Sequence, residues 1–238
     1  MKYRIAGAAF AAALIVFAGY AALYIAPVDV RQGQIYRIFY FHLAAWVCTF
    51  TAFTIVFVSN IAYLATRRQR WDSLGVSAAE LGVACCTIGL ITGPLWAKPV
   101  WGIWWTWDAR LTTTFIMWLL YISYLMLRGL LEDPRRSATL SAVFGIFAFL
   151  DVPLVYMSNR LFPTQHPQPV FFGGPGSGVD PVMAKIIVLC MVALLIVMIP
   201  VLIDRYRIEC MRREMEDLRQ EIELRSLDAQ SRPVKGVL

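Results

Sequence analysis

The chain has 238 residues, of which 59% are hydrophobic and 16% charged, and its mean hydropathy is +0.61. These proportions exclude a soluble globular protein and predict a polytopic membrane protein, because a chain of this length holds several spans of roughly 20 residues and little else. The formal net charge of +6 is explained by basic residues that flank the spans, close to anionic lipid head groups, so no nucleic-acid partner is expected.

Six apolar stretches recur along the chain, each near the roughly 20-residue length that crosses a bilayer. They cover approximately 5–26, 38–65, 78–97, 111–128, 138–158 and 182–203. The first stretch is longer than the roughly 7–15-residue core of a signal peptide, so we interpret it as a retained span. The sequence therefore predicts an all-α membrane fold of six transmembrane helices joined by short loops.

Lysine and arginine are distributed unevenly between the two sides that six spans define. Of the 22 basic residues, 16 fall on the side of the termini and 6 on the other. Cytoplasmic segments carry the excess of basic residues, so both termini are predicted to be cytoplasmic. We interpret residues 1–203 as one membrane domain and residues 204–238 as a cytoplasmic tail.

The first outer loop leads into the second span and its histidine. His42 lies one or two turns inside that span if the helix begins near Tyr36 or Arg37. Several aromatic residues surround it in the sequence. Taken alone, His42 is as consistent with the aromatic belt of a membrane interface as with a binding site.

The second outer loop, about 98–111, carries four of the chain's 8 tryptophans within seven residues. They are Trp101, Trp104, Trp105 and Trp107. An ordinary aromatic belt is scattered, and at helical spacing these four side chains would cover more than one face of a short helix. The cluster therefore favours an interfacial surface for a flat apolar guest, with Asp108 and Arg110 paired or divided between structure and ligand.

The third outer loop contains His166, the second of only 2 histidines, in an irregular segment rich in proline. Alone, it is an ordinary loop histidine. Two outward imidazoles and a stacking surface together are what a flat iron porphyrin requires, because it takes axial nitrogen ligands, apolar faces and cations for its propionates. The Gly-rich stretch at 171–178 is predicted to be a mobile connector.

The tail begins as a charged segment with a regular apolar pattern. Its apolar residues recur at alternating spacings of three and four, which is a seam of heptad type. They are Ile208, Met211, Met215, Leu218 and Ile222. This pattern predicts a helix that prolongs the sixth span, either lying on lipid head groups or docked on a cytoplasmic partner, with a loose end beyond Asp228.

Some chemistries are excluded by missing motifs. The chain has 5 cysteines but no C-x-x-C, which argues against thiol–disulfide exchange and against covalent c-type haem on this chain. There is also no G-x-x-x-x-G-K-[ST] sequence, so no ATP site of the P-loop type is expected.

The motif Trp-Gly-x-Trp-Trp-x-Trp-Asp-Ala-Arg at 101–110 resembles the signature of the tryptophan-rich, WWD-domain proteins that handle haem in cytochrome c biogenesis. Its position between the third and fourth of six spans is similar to that in the CcmC family, whose members are the smallest of this group. Residues 37–46 are similar to the family's first histidine segment, although Leu43-Ala44-Ala45 departs from it. Arg160-Leu161-Phe162, just before His166, departs as well. The resemblance covers nearly the whole chain.

The resemblance implies a protein that holds haem b non-covalently at the periplasmic face of the bacterial inner membrane. It also implies delivery of that haem to the haem chaperone CcmE, in a complex with the ABC-type subunits CcmA and CcmB and the small protein CcmD. The expected mechanism is positioning of the ring for the chaperone, so the chain is not expected to be an enzyme itself.

Site residues follow from the same resemblance. His42 and His166 are implied as axial iron ligands, and the four clustered tryptophans as a platform against one porphyrin edge. Arg37 and Arg110 are the expected propionate partners, with Lys98 and Arg160 as secondary candidates. These expectations all concern the outer side of the membrane.

Two functions of other classes stay open. An ABC-type permease for haem or another solute needs only a cytoplasmic coupling segment, which the short loops near Arg70 and Glu132 do not obviously provide. A membrane cytochrome b also binds haem through two histidines, but it usually needs them deep within spans and often needs two pairs. Only 2 histidines are present here.

Overall fold

The computed structural model describes residues 2–131, 133–167 and 179–231, with side chains from Ala6 to Leu227 in those ranges. Helices dominate these residues, and no β-strand occurs among them. Within these ranges, six helical segments are long and apolar enough to cross a membrane, which confirms the predicted all-α, six-span membrane fold. An even number of crossings puts both ends on one side, whose identity as the cytoplasm stays a prediction.

The first five spans follow one another with short connections. Their bounds are α1 (Lys2–Tyr20) with a π-helical turn (Ala21–Ile25), a 3-10 turn (Gln34–Arg37) leading into α2 (Ile38–Thr66), α3 (Gln69–Trp101), α4 (Ala109–Gly129), α5 (Pro134–Phe149) with α6 (Asp151–Leu161), and α7 (Pro181–Ser231). The predicted connector at 171–178 and the last residues of the predicted loose end lie outside the described residues.

The fifth span is broken in two. Helix α5 ends at Phe149 and α6 begins at Asp151, and Pro153 in the first turn of α6 accounts for the interruption. A proline ring clashes with the carbonyl four residues earlier, here that of Phe149, and has no N–H to donate. The break separates α5 from the short α6, which leads to the loop that carries His166.

Helix α2 is the central helix of the bundle and packs on α3, α5 and α7. Glycines on α3 allow the two helices to approach closely, as small residues do in membrane bundles. A Cβ on Gly82 would lie 2.4 Å from the Phe53 ring, and one on Gly89 would lie 2.6 Å from the Trp46 ring. These contacts fix the register of α2 against α3.

A buried carboxylate joins three helices at the end of the bundle away from the tryptophan segment. Asp72 of α3 is fully buried, and its oxygens accept hydrogen bonds from Arg128 of α4 at 2.8 and 2.6 Å. Arg213 of α7 lies 2.7 Å from the same carboxylate. Asp72 lies in the first turn of α3, which begins at Gln69, well before the apolar stretch predicted from 78.

The sixth span and the tail form one uninterrupted helix. Helix α7 runs from Pro181 to Ser231 and includes Pro200, so the apolar span continues directly into the charged segment. The five apolar seam residues, Ile208, Met211, Met215, Leu218 and Ile222, are all exposed. Head-group contact and partner docking therefore both stay predictions for this face.

Candidate functional site

A cavity at the end of the bundle that carries the tryptophan segment brings together residues distant in the sequence. Its volume, including the open mouth, is about 950 Å³. Six of the predicted site residues line it: His42, Trp101, Trp104, Trp105, Arg110 and His166. Much of the remaining wall is apolar or aromatic, including Trp46, Leu90, Pro94, Trp96 and Val100.

His42 is buried, with 7% of its surface exposed, and both of its ring nitrogens are hydrogen-bonded. Nε2 accepts the indole N–H of Trp46 at 2.9 Å, and Nδ1 lies 2.8 Å from Thr92 Oγ1. An indole N–H can only donate, so the proton of the neutral ring must be on Nδ1. The Thr92 hydroxyl oxygen accepts a hydrogen bond from Nδ1–H, and the hydroxyl donates a hydrogen bond to the Ile88 carbonyl at 2.8 Å.

His166 is held in the loop after α6 by its own neighbours. Its Nδ1 lies 2.9 Å from the Pro167 carbonyl, and its backbone N–H donates to Thr164 Oγ1 at 3.0 Å. The Asn159 amide nitrogen lies farther from the same Nδ1, at 3.3 Å. Because the shorter contact is to a carbonyl, which can only accept, we assign the proton to Nδ1 and the lone pair to Nε2. Burial and the positive charge of Arg110 lower the pKa of His166 to about 4, so the ring is neutral near pH 7.

Arg110 links the start of α4 to this loop. Its guanidinium donates to the Val155 carbonyl at 2.7 Å and to Asn159 Oδ1 at 2.9 Å. The Asn159 amide in turn donates to the Pro167 carbonyl at 2.8 Å. Arg110 therefore lines the cavity and also positions the loop that carries His166.

The tryptophan segment is irregular between two helix ends. Gly102 ends α3 with φ of 76°, a left-handed conformation that glycine adopts at low cost. Asp108 begins α4 by accepting the Leu111 N–H at 3.0 Å, as an N-cap does. Asp108 thus has a structural role, and the segment is short enough to hold its indoles between α3 and α4.

The four clustered tryptophans are divided between two cavities. Trp101, Trp104 and Trp105 line the cavity that contains the histidines. Trp107 lies in a second, apolar pocket with Phe115 and Trp118, and 74% of its surface is exposed. Trp105 borders both pockets, and its buried Nε1 has no hydrogen-bond partner among the described residues.

Comparison with known proteins gives the same assignment as the motif. A family model described as Heme exporter protein C matches residues 2–221. The chain belongs to the heme exporter protein C family. Heme exporter protein C of Bradyrhizobium diazoefficiens is 28% identical over 195 residues, which cover 82% of this chain and 74% of that protein.

Two further relatives extend this comparison. Heme exporter protein C of Paracoccus denitrificans is 29% identical over 199 residues, which cover 82% of this chain and 81% of that protein. A ccmC-like mitochondrial protein of Marchantia polymorpha, named for cytochrome c biosynthesis, is 31% identical over 154 residues, 64% of each chain. The resemblance stated from the motifs is thereby confirmed.

The other three basic residues predicted to bind haem propionates do not line the cavity. Arg37 donates to the Ala22 carbonyl at 2.9 Å and so joins the start of α2 to the end of the first span. Lys98 donates to the Gly102 carbonyl at 2.8 Å and lies over the Trp104 ring. Arg160 lies over the Tyr156 ring.

Sequence reasoning missed three residues that hold the histidines. Trp46 lies four residues after His42 and therefore on the same helix face, which is a signal that the sequence did contain. Thr92 and Asn159 contact the histidines from other elements. No periodicity predicts such contacts, because they depend on how α3 and α6 pack.

Proposed function

We propose that this protein binds haem b non-covalently in the cavity and delivers it to the haem chaperone CcmE. Membership of the heme exporter protein C family implies a role in haem handling for cytochrome c maturation. The proposal of haem binding in this cavity rests on one observation: two imidazoles, from separate segments of the chain, line the same cavity.

The donor set fits an iron porphyrin. Histidines that bind metals usually donate their other ring N–H to a neighbouring acceptor, which fixes the tautomer. His42 does so to Thr92 and His166 to the Pro167 carbonyl. Both rings therefore have Nε2 as the unprotonated nitrogen, and Trp105 Nε1 is a further donor without a partner among the described residues.

Each lining residue then has a distinct part in holding the ring. His42 and His166 would each offer an imidazole nitrogen to the iron, and the Trp101, Trp104 and Trp105 indoles would provide apolar faces. Arg110 provides a positive charge for the propionates while it also supports the His166 loop. Arg37 and Trp107 lie outside the cavity lining, so the proposal assigns them no contact with haem.

When bound, haem would supply an iron that accepts imidazole nitrogens and a vinyl group that can react with the chaperone. The protein's own contribution is positioning: side chains fixed by their neighbours hold a ligand at little entropic cost. We propose no general acid or base and no enzymatic role for the chain itself. The proposed setting is the periplasmic face of the bacterial inner membrane, in a complex with CcmA, CcmB and CcmD.

Absorption spectroscopy of the purified protein tests this function. Protein in detergent or nanodiscs is expected to take up haem with the spectrum of a low-spin, bis-histidine complex, and to lose it to CcmE on mixing. Thiol labelling of a Trp107→Cys variant in intact cells is expected from the periplasmic side. A protein that stays colourless with added haem would overturn the proposal.

Asn159 provides a more specific prediction. Replacing it by alanine removes the amide that joins Arg110 to the Pro167 carbonyl, so the His166 loop should lose its support. Loss of such outer partners typically weakens metal binding by about 10- to 100-fold. We expect an increase of that size in the Kd for haem, measured by titration.

The matched control is Leu161→Ala, at the end of the same helix, where the side chain is 58% exposed. Its Kd for haem should stay close to that of the unmodified protein. Equal affinities in the two variants would contradict a supporting role for Asn159.

A further inference from the structure

The lone pair that would bind iron at His42 already has a partner. The Trp46 indole N–H donates to His42 Nε2 at 2.9 Å, from one turn later on the same helix. Metal coordination uses that same lone pair. Iron and the Trp46 N–H therefore cannot occupy His42 Nε2 together.

The indole is held in this position by its surroundings. Its ring lies 5.9 Å from the Phe50 ring, centroid to centroid, and at 78° to the His42 ring. Gly89 of α3 provides the space, since a Cβ there would lie 2.6 Å from Cζ2 and 3.1 Å from Nε1 of Trp46. The hydrogen bond thus depends on a close approach of α2 and α3, and both Trp46 and Gly89 line the cavity.

We propose that Trp46 is a positioning residue that competes with haem iron for His42, and so weakens haem binding to a level that permits transfer. This inference rests on the function proposed above. When haem binds, the indole N–H must leave Nε2; when haem departs, the N–H returns and satisfies the buried imidazole. The empty site is therefore stabilised, which favours release to an acceptor.

The expected size of the effect follows from the strength of one hydrogen bond. A typical intramolecular hydrogen bond changes an equilibrium by roughly 2- to 10-fold. Removing the Trp46 N–H should thus lower the Kd for haem by about that factor. A purely structural role predicts the opposite sign, because loss of a well-packed indole weakens binding.

Two variants test the competition in different ways. Trp46→Phe removes the N–H and keeps an aromatic ring. Gly89→Ala keeps the indole but forces it to move, because a methyl group at 2.6 Å from a ring atom cannot be accommodated. We expect tighter haem binding in both variants, measured by titration in nanodiscs.

The matched control is Trp118→Phe. Trp118 also donates from its indole N–H to a hydroxyl, that of Thr87, at 2.9 Å, but it lies outside the histidine cavity. Its Kd for haem should not change. Tighter binding in either test variant with an unchanged control supports the proposal, and the absence of tightening in both overturns it.

A measurement without haem separates the two proposals. Nitrogen-15 NMR of the haem-free protein should find His42 protonated at Nδ1, with an Nε2 shift that moves downfield in Trp46→Phe as the hydrogen bond is lost. An Nε2 shift that does not respond overturns the Trp46 assignment. If the wild-type protein takes up no haem, both the proposed function and this inference are wrong. If Trp46→Phe and Gly89→Ala bind haem with the same affinity as the wild-type protein, only the inference is wrong.

Discussion

Replacing His42 or His166 by alanine is expected to raise the Kd for haem by more than about 100-fold. The size follows from a comparison: loss of an outer partner of a metal ligand costs about 10- to 100-fold, and loss of the ligand itself should cost more. The low-spin, bis-histidine spectrum should give way to a high-spin spectrum in each single variant. Titration with haem and absorption spectroscopy measure both effects.

Two controls distinguish a lost ligand from a damaged fold. Thr49→Ala changes a buried polar residue of α2 two turns from His42, where the hydroxyl bonds the Ala45 carbonyl at 2.9 Å, and should leave the spectrum intact. Added imidazole should restore the low-spin bands of each single variant by filling the vacated position. Wild-type spectra in the double variant would contradict the ligand assignment.

Asp72→Asn is expected to destabilise the protein by about 3–5 kcal/mol, the usual cost of removing one partner from a buried ion pair. The carboxylate is fully buried, while the side chains of Arg128 and Arg213 are 14% and 15% exposed. Without that charge, the mostly buried guanidinium of Arg128 loses its counterion, and Arg213 keeps only Glu209, 3.0 Å away on the same helix. Unfolding by denaturant in mixed micelles measures the change in free energy.

The comparison variant is Glu221→Gln, which breaks the pair between Glu221 and Arg225 within α7. Those side chains are 55% and 78% exposed, and pairs of this kind contribute only about 0.3–0.5 kcal/mol. Equal losses for Asp72→Asn and Glu221→Gln would show that the buried cluster does not hold the helices together.

The spans and much of the candidate site could be predicted from sequence, because both depend on local pattern. Apolar length identifies each membrane helix. The tryptophan motif and the scarcity of histidine single out His42, His166 and Trp105, and all three line one cavity. Pro153 carries its own signal for the break in the fifth span.

Contacts between distant elements could not be predicted. In the sequence, Arg213 is simply one of several basic residues of the tail. In the structure it lies 2.7 Å from Asp72. Arg37 has the charge expected of a propionate partner, but a helix-end carbonyl takes its hydrogen bond. Charge and position along the chain do not specify a partner; packing does.

Helix α4 has an arginine near each end, and each is engaged with another helix: Arg110 with the Val155 carbonyl of α6, and Arg128 with Asp72 of α3. At about 1.5 Å per residue, the two lie about 27 Å apart along the axis. A helix that is hydrogen-bonded to its neighbours at both ends cannot shift along its axis while both sets of bonds remain. A shift of α4 along its axis relative to α3 and α6 would therefore have to break at least one of these two arginine contacts.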